Sequence, residues 1–300
     1  MSAKGVSLDD AENGLGNILS LYWNTRALAA VSGLCFSAPV FTRAPDSWIK
    51  HLPASLCEGG WDAVTSAEVH RKVCGSCRGH MTYPHECAGW WVYFAAVVRR
   101  DTRRALVIWA KKNAAPVPTF NAGDVVIYDR CKEDDSIFTH PGYGPAGWSL
   151  YNSIACDEGC SLTIVCVPET DHGVCLLKRV ALLDFLFRRH PLARIRLSCE
   201  NTNCMAEAHN FGGITNSFNA FYHIVFAPNV YADLSTFALW GGFANSGAVR
   251  LPTAQSFIYT GFAPSGFVWE NTSSLLGKQP DVAAGGRVDA AKLRTWLLEH

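Results

Sequence analysis

The sequence predicts a mixed α+β protein with a mainly antiparallel sheet, a few helices and a zinc-stabilised segment. Runs of aromatic and β-branched residues, which favour strands, recur through the middle of the chain. Long amphipathic patterns that favour helices are fewer. Cysteines and histidines gather between residues 70 and 87 at spacings that suit a metal ion.

Local patterns place the elements along the chain. Residues 1–33 predict one or two helices ending at Gly33, and residues 174–190 carry the best amphipathic helix, which Pro191 ends. Further short helices are predicted from Thr65 and over residues 289–298. The predicted strands are residues 35–41, 91–94, 105–109, 124–128, 162–167, 193–197, 222–226, 237–240 and 257–259.

The composition is that of a folded chain without net charge. Of its 300 residues, 49% are hydrophobic and 17% are charged, which supplies a core and argues against long disordered tails. Basic and acidic residues balance at 26 each, so no global field attracts nucleic acid or a membrane. No stretch predicts a secretory leader or a membrane span. In the reducing compartment expected, 12 cysteines favour metal binding or reduced thiols over disulfides.

The amino-acid composition of the chain changes near residue 210. Charge nearly vanishes beyond it, and Gly, Asn, Ser, Phe and Ala dominate through Phe267. We predict a Cys/His-rich α+β domain over residues 1–209 and a Gly/Asn/aromatic-rich β segment with a C-terminal helix over residues 210–300. A single domain is the alternative.

One segment predicts a structural zinc site. Cys74 and Cys77 can face one point from a tight turn, because Gly75 lets the backbone bend. A third cysteine and a histidine can complete a tetrahedron around Zn²⁺. The candidate ligands are Cys74, Cys77, Cys87, His70, His80 and His85. Reduced buried thiols and a redox pair are the alternatives.

A second group of candidate metal ligands lies further along the chain. It comprises Cys156, Cys160, Cys199, Cys204 and His209. The spacings of three and four residues suit zinc less well than two, so buried thiols are the alternative.

A charged stretch predicts a basic patch. Between two predicted strands the chain reads Arg99-Arg100-Asp101-Thr102-Arg103-Arg104, which suggests the turn of a hairpin. The patch consists of Arg99, Arg100, Arg103, Arg104, Lys111 and Lys112. It is either a solvated edge or a surface for nucleic acid or an acidic partner.

The sequence Ser161-Leu162-Thr163-Ile164-Val165-Cys166 has the form of a box that binds Elongin C. In such boxes the leucine and cysteine fill an apolar pocket from one face of a helix, so Leu162 and Cys166 are candidate contacts. The intervening β-branched residues favour a buried strand instead.

Several of these blocks together resemble the adenovirus early-region-4 34 kDa protein family. The similar blocks are residues 65–77 with their Cys-x2-Cys, His85-Glu86-Cys87-Ala88-Gly89-Trp90, and Leu192-x2-Ile195-Arg196-x2-Cys199. They lie within residues 30–205.

The resemblance implies a viral early regulatory protein in a host–virus interaction. Such a protein is a non-catalytic adaptor that recruits Elongin B/C and a cullin, with a second viral early protein, to ubiquitinate host target proteins. The resemblance also implies that the protein is located in the nucleus and cytoplasm of the host cell. The alternatives are a zinc-containing nucleic-acid-binding protein, or a cysteine-dependent hydrolase or transferase.

Overall fold

The computed structural model describes the helices and strands of the chain with gaps between them. The described residues are 15–31, 35–38, 47–57, 91–130, 148–166, 173–198, 214–233, 235–252 and 267–270. The helices are α1 (Leu15–Val31), a 3₁₀ turn (Trp48–His51), α2 (Trp91–Lys112), α3 (Trp148–Asn152), α4 (Gly173–Arg189), α5 (Ile214–Phe226) and α6 (Thr236–Ala244). None of these helices is long and apolar enough to cross a membrane.

The strands form one large sheet and one small pair. They are β1 (Phe36–Ser37), β2 (Ser55–Leu56), β3 (Val125–Asp129), β4 (Ser161–Cys166), β5 (Arg194–Leu197), β6 (Asn229–Ala232), β7 (Ala248–Pro252) and β8 (Phe267–Glu270). The large sheet has six strands in the order β5-β4-β3-β6-β7-β8, and β1 pairs with β2.

Every pairing in the large sheet is parallel, so the predicted mainly antiparallel sheet is wrong. The mixture of helices and strands is confirmed, but only β1 and β2 are antiparallel within the described part of the chain. A strand of a parallel sheet is covered on both faces and carries a continuous apolar run. β3 is such a strand, with all five residues buried.

The strand order shows that the sheet is doubly wound. The chain runs outward from β3 through β4 to β5, returns to the other side of β3 as β6, and runs outward again through β7 to β8. The winding therefore reverses between β3 and β6, which is the topological switch point of the sheet. Strands from both sides of the predicted boundary at residue 210 pair within this one sheet.

Helices pack on both faces of the sheet. On one face, Val126 and Val230 pack with Trp23 of α1, Trp109 of α2 and Trp240 of α6. On the other face, the alternate residues of β3 and β4 pack with Leu150 of α3 and with Leu182 and Leu186 of α4. The core therefore has two layers, one on each side of the sheet.

Four predicted strands are helical. The predicted hairpin over residues 91–109 is a single helix, α2, and the predicted strands at 222–226 and 237–240 lie in α5 and α6. In α2 the buried residues Val98, Thr102 and Trp109 recur at helical spacing, so the charges of Arg99 to Arg104 lie between core positions instead of in a turn. The predictions of α1, β3, β4, α4 and β5 are confirmed.

Candidate functional site

Two carboxylates lie side by side at the switch point. Tyr128 of β3 is the register partner of Ala232 of β6, so Asp129 and Asp233 follow at the adjacent carboxyl ends of the two strands. The backbone N–H of Asp233 donates to the Tyr128 carbonyl at 3.1 Å, which extends the pairing by one step. Both aspartates are 0% exposed.

Lys178 of α4 bridges the two carboxylates. Its Nζ donates to Asp129 Oδ1 at 2.7 Å, to the Arg130 carbonyl at 3.1 Å and to Asp233 Oδ2. An ammonium group has three N–H donors, and all three are used here. Lys178 therefore ties α4 to the carboxyl ends of both central strands.

Three further groups complete the cluster. Arg179 Nε donates to Asp129 Oδ2 at 3.4 Å, and the Tyr151 hydroxyl donates to Asp233 Oδ1 at 3.1 Å. The backbone N–H of Arg130 donates to Asp233 Oδ2 at 2.9 Å. We call Asp129, Arg130, Tyr151, Lys178, Arg179 and Asp233 the switch-point cluster.

The side chains that meet in the cluster are buried, and the two cations among them match the two carboxylates. Lys178 and Arg179 are 2% and 4% exposed, and their charges match those of the two aspartates. Burial lowers the pKa of Lys178, but the charges of Asp129 and Asp233 outweigh it and raise that pKa overall. Burial, followed by the charge of Asp233, raises the pKa of Tyr151 well above its ordinary value. The cluster thus keeps Lys178 charged and Tyr151 protonated at neutral pH.

This arrangement can orient and bind, because its polar groups are fixed by one another. Lys178 has no spare donor, so it is poorly placed as a free general base. Lys178, Arg179, Asp129 and Asp233 together carry no net charge, so these four side chains do not repel an anionic ligand. No group of three or more potential metal-ligating side chains is present within the described ranges.

The six predicted zinc ligands lie outside the described residues. They are Cys74, Cys77, Cys87, His70, His80 and His85. Cys199, Cys204 and His209 of the second predicted set also lie outside them. Zinc binding at either set stays a prediction.

Two cysteines of the second set are paired with each other. Cys156 and Cys160 form a disulfide between α3 and β4, and Cys35 and Cys57 form another between β1 and β2. The sequence favoured metal-bound or reduced thiols at these four positions, and the structure has disulfides there instead. A disulfide sulfur has no thiolate to offer a metal, so zinc binding by Cys156 and Cys160 requires their reduced form and stays a prediction.

The Elongin-type box forms the central strand β4. Leu162 is 0% exposed, Cys166 is 5% exposed, and both lie in the buried sheet. Cys166 is also disulfide-bonded. The segment forms the strand that its β-branched residues favoured. Leu162 and Cys166 therefore do not lie on the face of a helix that a partner could contact.

The predicted basic residues share one helix instead of flanking a turn. Arg100, Arg104, Lys111 and Lys112 are exposed on α2, whereas Arg99 and Arg103 are half-buried. Arg103 Nη1 donates to the Val225 carbonyl at 3.0 Å and to Ser246 Oγ at 3.4 Å.

The switch-point cluster was not predicted from the sequence, although the sequence carries a signal for it. Asp129 directly follows the apolar run Val125-Val126-Ile127-Tyr128, and Asp233 follows Val230-Tyr231-Ala232. An acidic residue directly after a buried parallel strand lies at the carboxyl edge of the sheet, where ligands of open α/β sheets bind. The antiparallel prediction hid this relationship.

Comparisons with known proteins add no family. Searches against family models, curated proteins and solved structures found no match to this chain.

Proposed function

We propose that this chain binds an adenosine-containing cofactor, of the dinucleotide type, at the carboxyl edge of its parallel sheet between β3 and β6. The observation that carries the proposal is the coincidence of the switch point with a buried polar cluster. Open α/β sheets bind ligands outside the carboxyl ends of their strands, at this point of the topology.

The strand order supports the proposal. Counted from β3 along the chain, the order of the large sheet is 3-2-1-4-5-6, which is the order of dinucleotide-binding sheets. In such sheets the segment after the first strand receives the phosphates. Here the first strand is β3, which ends in Asp129 of the switch-point cluster.

A sequence pattern between β3 and α3 also supports it. Gly142-Tyr143-Gly144-Pro145-Ala146-Gly147 has the spacing G-x-G-x-x-G and directly precedes α3, which begins at Trp148. In dinucleotide-binding proteins these glycines allow a tight turn and close approach of the backbone to the pyrophosphate. Glu169, about 20 residues further on, is suitably placed in the sequence to accept from ribose hydroxyls. These residues lie outside the described part of the chain.

Direct ligand binding tests the proposal. Calorimetric titration of the full chain with NAD, NADP and FAD covers dinucleotide cofactors that share the adenosine group. We expect one of them to bind with a Kd below about 1 mM, equivalent to about −4 kcal/mol. The substitution Gly144→Val should weaken binding about tenfold or more, because the proposal requires the backbone at Gly144 to approach the pyrophosphate more closely than a residue with a side chain allows.

The matched control is Gly123→Ala. A Cβ at Gly123 meets no atom within 4 Å, and Gly123 precedes the amino end of β3. This variant should bind the cofactor as the parent does. The proposal is wrong if all three cofactors fail to bind, or if Gly144→Val binds as tightly as Gly123→Ala.

We also propose, from the sequence resemblance, that the chain acts as an adaptor for an Elongin–cullin ubiquitin ligase. The three similar blocks support this second function. Because Leu162 and Cys166 are buried in β4, the docking residues would have to lie elsewhere in the chain.

Affinity purification of the full chain from host cells tests the adaptor function. Elongin B/C and a cullin should co-purify, and elemental analysis should find zinc that is lost in Cys74→Ser/Cys77→Ser. Absence of Elongins and cullins from the purified material would contradict the adaptor function, whatever the zinc content.

A further inference from the structure

The exposed side of α2 concentrates positive charge. From residue 95 to residue 112 its exposed positions follow the i, i+4 ridge of the helix. We call these positions the α2 ridge, and they are Ala96, Arg100, Arg104, Ile108, Lys111 and Lys112. Four of them are basic and none is acidic.

The only acidic residue of α2 is turned inward. Asp101 is 5% exposed and is paired with Arg26 of α1, with 2.7 Å between Arg26 Nη2 and Asp101 Oδ2. The same carboxylate accepts from Arg100, whose side chain is 66% exposed. One carboxylate thus faces two arginines, and the outer surface of the helix keeps a net positive charge.

Neighbouring groups respond to the positive charge of α2. Burial, and then the charges of Lys112 and Lys50, lower the pKa of His51 in the 3₁₀ turn. Burial, and then the charge of Arg99, lower the pKa of Arg103. Arg103 is fixed over the Phe226 ring at 4.2 Å, so its charge is held beside the ridge.

The exposed side of α4 differs from the α2 ridge. There Asp184 pairs with Arg188 one turn away, and the exposed residues include Val180 and Phe187. Mixed charge of this kind is typical of a solvated helix face. In a chain whose total charge is zero, the single-sign α2 ridge is therefore a local concentration that the composition does not explain.

We infer that the α2 ridge binds the phosphate backbone of nucleic acid. The ridge extends about 18 Å from Arg100 to Lys112 at 1.5 Å per residue, and a duplex presents about one phosphate charge per 1.7 Å of its axis. Arginine guanidinium groups match phosphate oxygens with paired donors. Nε and Nη2 of Arg100 already donate to Asp101, so Arg100 contributes the charge of a 66%-exposed guanidinium instead of that donor pair.

The described surface favours nucleic acid over an acidic protein. Protein interfaces depend on large buried anchors, whereas Ala96 and the 38%-exposed Ile108 are the only apolar residues of the ridge. Arg103 of α2 contacts Val225 and Ser246. These two residues precede the amino ends of β6 and β7. The ridge is therefore separate from the proposed cofactor site at the carboxyl edge, and neither proposal depends on the other.

Fluorescence anisotropy tests the inference with two probes, a single-stranded RNA of about 24 nucleotides and a DNA duplex of about 24 base pairs. We expect binding whose logarithmic dependence on salt has a slope of about −3 for the RNA and about −4 for the duplex, as four phosphate contacts predict. The variant Arg100→Gln/Arg104→Gln/Lys111→Gln/Lys112→Gln should bind at least about tenfold more weakly and show a much flatter slope.

The matched control is Arg188→Gln/Arg189→Gln, which removes exposed cations from α4. It should bind nucleic acid about as tightly as the parent, and circular dichroism should show native helix content in all variants. The smaller variant Lys111→Gln/Lys112→Gln should make the salt-dependence slope for the duplex less steep, from about −4 to about −2.

Three outcomes would overturn the inference. They are no binding of either probe at low salt, equal affinity of the parent and the fourfold variant, and equal competition by polyglutamate, which would assign the ridge to an acidic protein. Cofactor binding by the fourfold variant should be unchanged, so failure of this inference is distinguishable from failure of the proposed cofactor function.

Discussion

Asp129 and Asp233 end adjacent parallel strands one residue beyond the register pair of Tyr128 and Ala232, so two buried carboxylates face the same lysine. Two negative charges that contact the same buried group repel each other strongly unless a cation lies between them. Lys178 supplies that cation from α4. The relationship joins the two halves of the doubly wound sheet at the point where a ligand would bind.

Removing the cation should be costly. Lys178→Met leaves two buried carboxylates with Arg179 as the remaining cationic side chain of the cluster that contacts them, and the expected loss in the free energy of unfolding is about 3–5 kcal/mol. Urea denaturation measures this loss. The control Lys50→Met replaces an exposed lysine and should change stability by less than about 0.5 kcal/mol.

A compensating variant separates charge from packing. Adding Asp129→Asn and Asp233→Asn to Lys178→Met removes the uncompensated charges and should restore part of the lost stability. If Lys178→Met alone is as stable as Lys50→Met, the cluster does not stabilise the switch point in the way described.

Close packing of α5 on α6 depends on a glycine. A Cβ at Gly241 would lie 2.5 Å from Ile224 Cγ2 and 3.1 Å from Ile224 Cβ. Gly241→Ala should therefore destabilise the protein by about 1–3 kcal/mol, reduced by the better helix propensity of alanine. Thermal unfolding gives the measurement.

Gly123→Ala is the matched control, because its Cβ would meet open space and its stability should stay near that of the parent. Ile224→Leu removes the Cγ2 methyl group that obstructs a Cβ at residue 241. The double variant Gly241→Ala/Ile224→Leu should therefore lose less free energy of unfolding than the sum of the losses in the two single variants. Strict additivity of the two changes would contradict the steric explanation.

The sequence predicted those elements whose pattern is local. The periodicity of α4 and the apolar runs of β3 and β4 identify them without knowledge of their neighbours. The direction of strand pairing is not local. An apolar run such as Val125 to Tyr128 fits a buried strand of either kind, and only the helical crossovers between strands decide that the pairing is parallel.

Aromatic helices caused the remaining errors. α6 is rich in Phe and Trp and is buried almost throughout, so its sequence lacks the polar face that marks a surface helix. α5 has polar residues at Asn219 and His223, one turn apart, but its β-branched and aromatic run Tyr222 to Phe226 favoured a strand. The switch-point cluster was hidden for a related reason. Asp129, Lys178 and Asp233 are distant in the sequence, and only the pairing of β3 with β6 brings them together.

The disulfide between Cys35 and Cys57 should stabilise the segment that contains β1 and β2. It closes a loop with a sequence separation of 22 residues. A loop of that length corresponds to about 3 kcal/mol of stability from restriction of the unfolded chain. A reductant should therefore lower the urea midpoint of the parent.

Cys35→Ala/Cys57→Ala supplies the control. Without reductant, the double variant should unfold at a lower urea midpoint than the parent. With reductant present, the two proteins should unfold at about the same midpoint, so the double variant should respond less to reductant. An equal effect of reductant on the parent and on the double variant would assign the stabilisation to another disulfide, such as Cys156–Cys160.

Stability should fall at alkaline pH because of Tyr128. Burial raises the pKa of its hydroxyl from 10.0 to about 12 in the folded protein. Since the folded-state pKa lies above the unfolded value, the contribution of Tyr128 is fully present below pH 10 and is lost as the pH rises toward about 12. A shift of this size corresponds to about 3 kcal/mol.

Tyr128→Phe isolates this effect. The variant loses the hydrogen bond with Ser235, so it should be about 1 kcal/mol less stable at neutral pH. Between pH 10 and 12 its urea midpoint should fall less steeply than that of the parent, although Tyr151, whose pKa is also raised, still contributes. Parallel profiles of stability against pH for the two proteins over this range would show that the pKa of the Tyr128 hydroxyl does not change on folding. Tyr151→Phe, measured alongside, shows how much of the remaining fall of stability with pH belongs to the switch-point cluster.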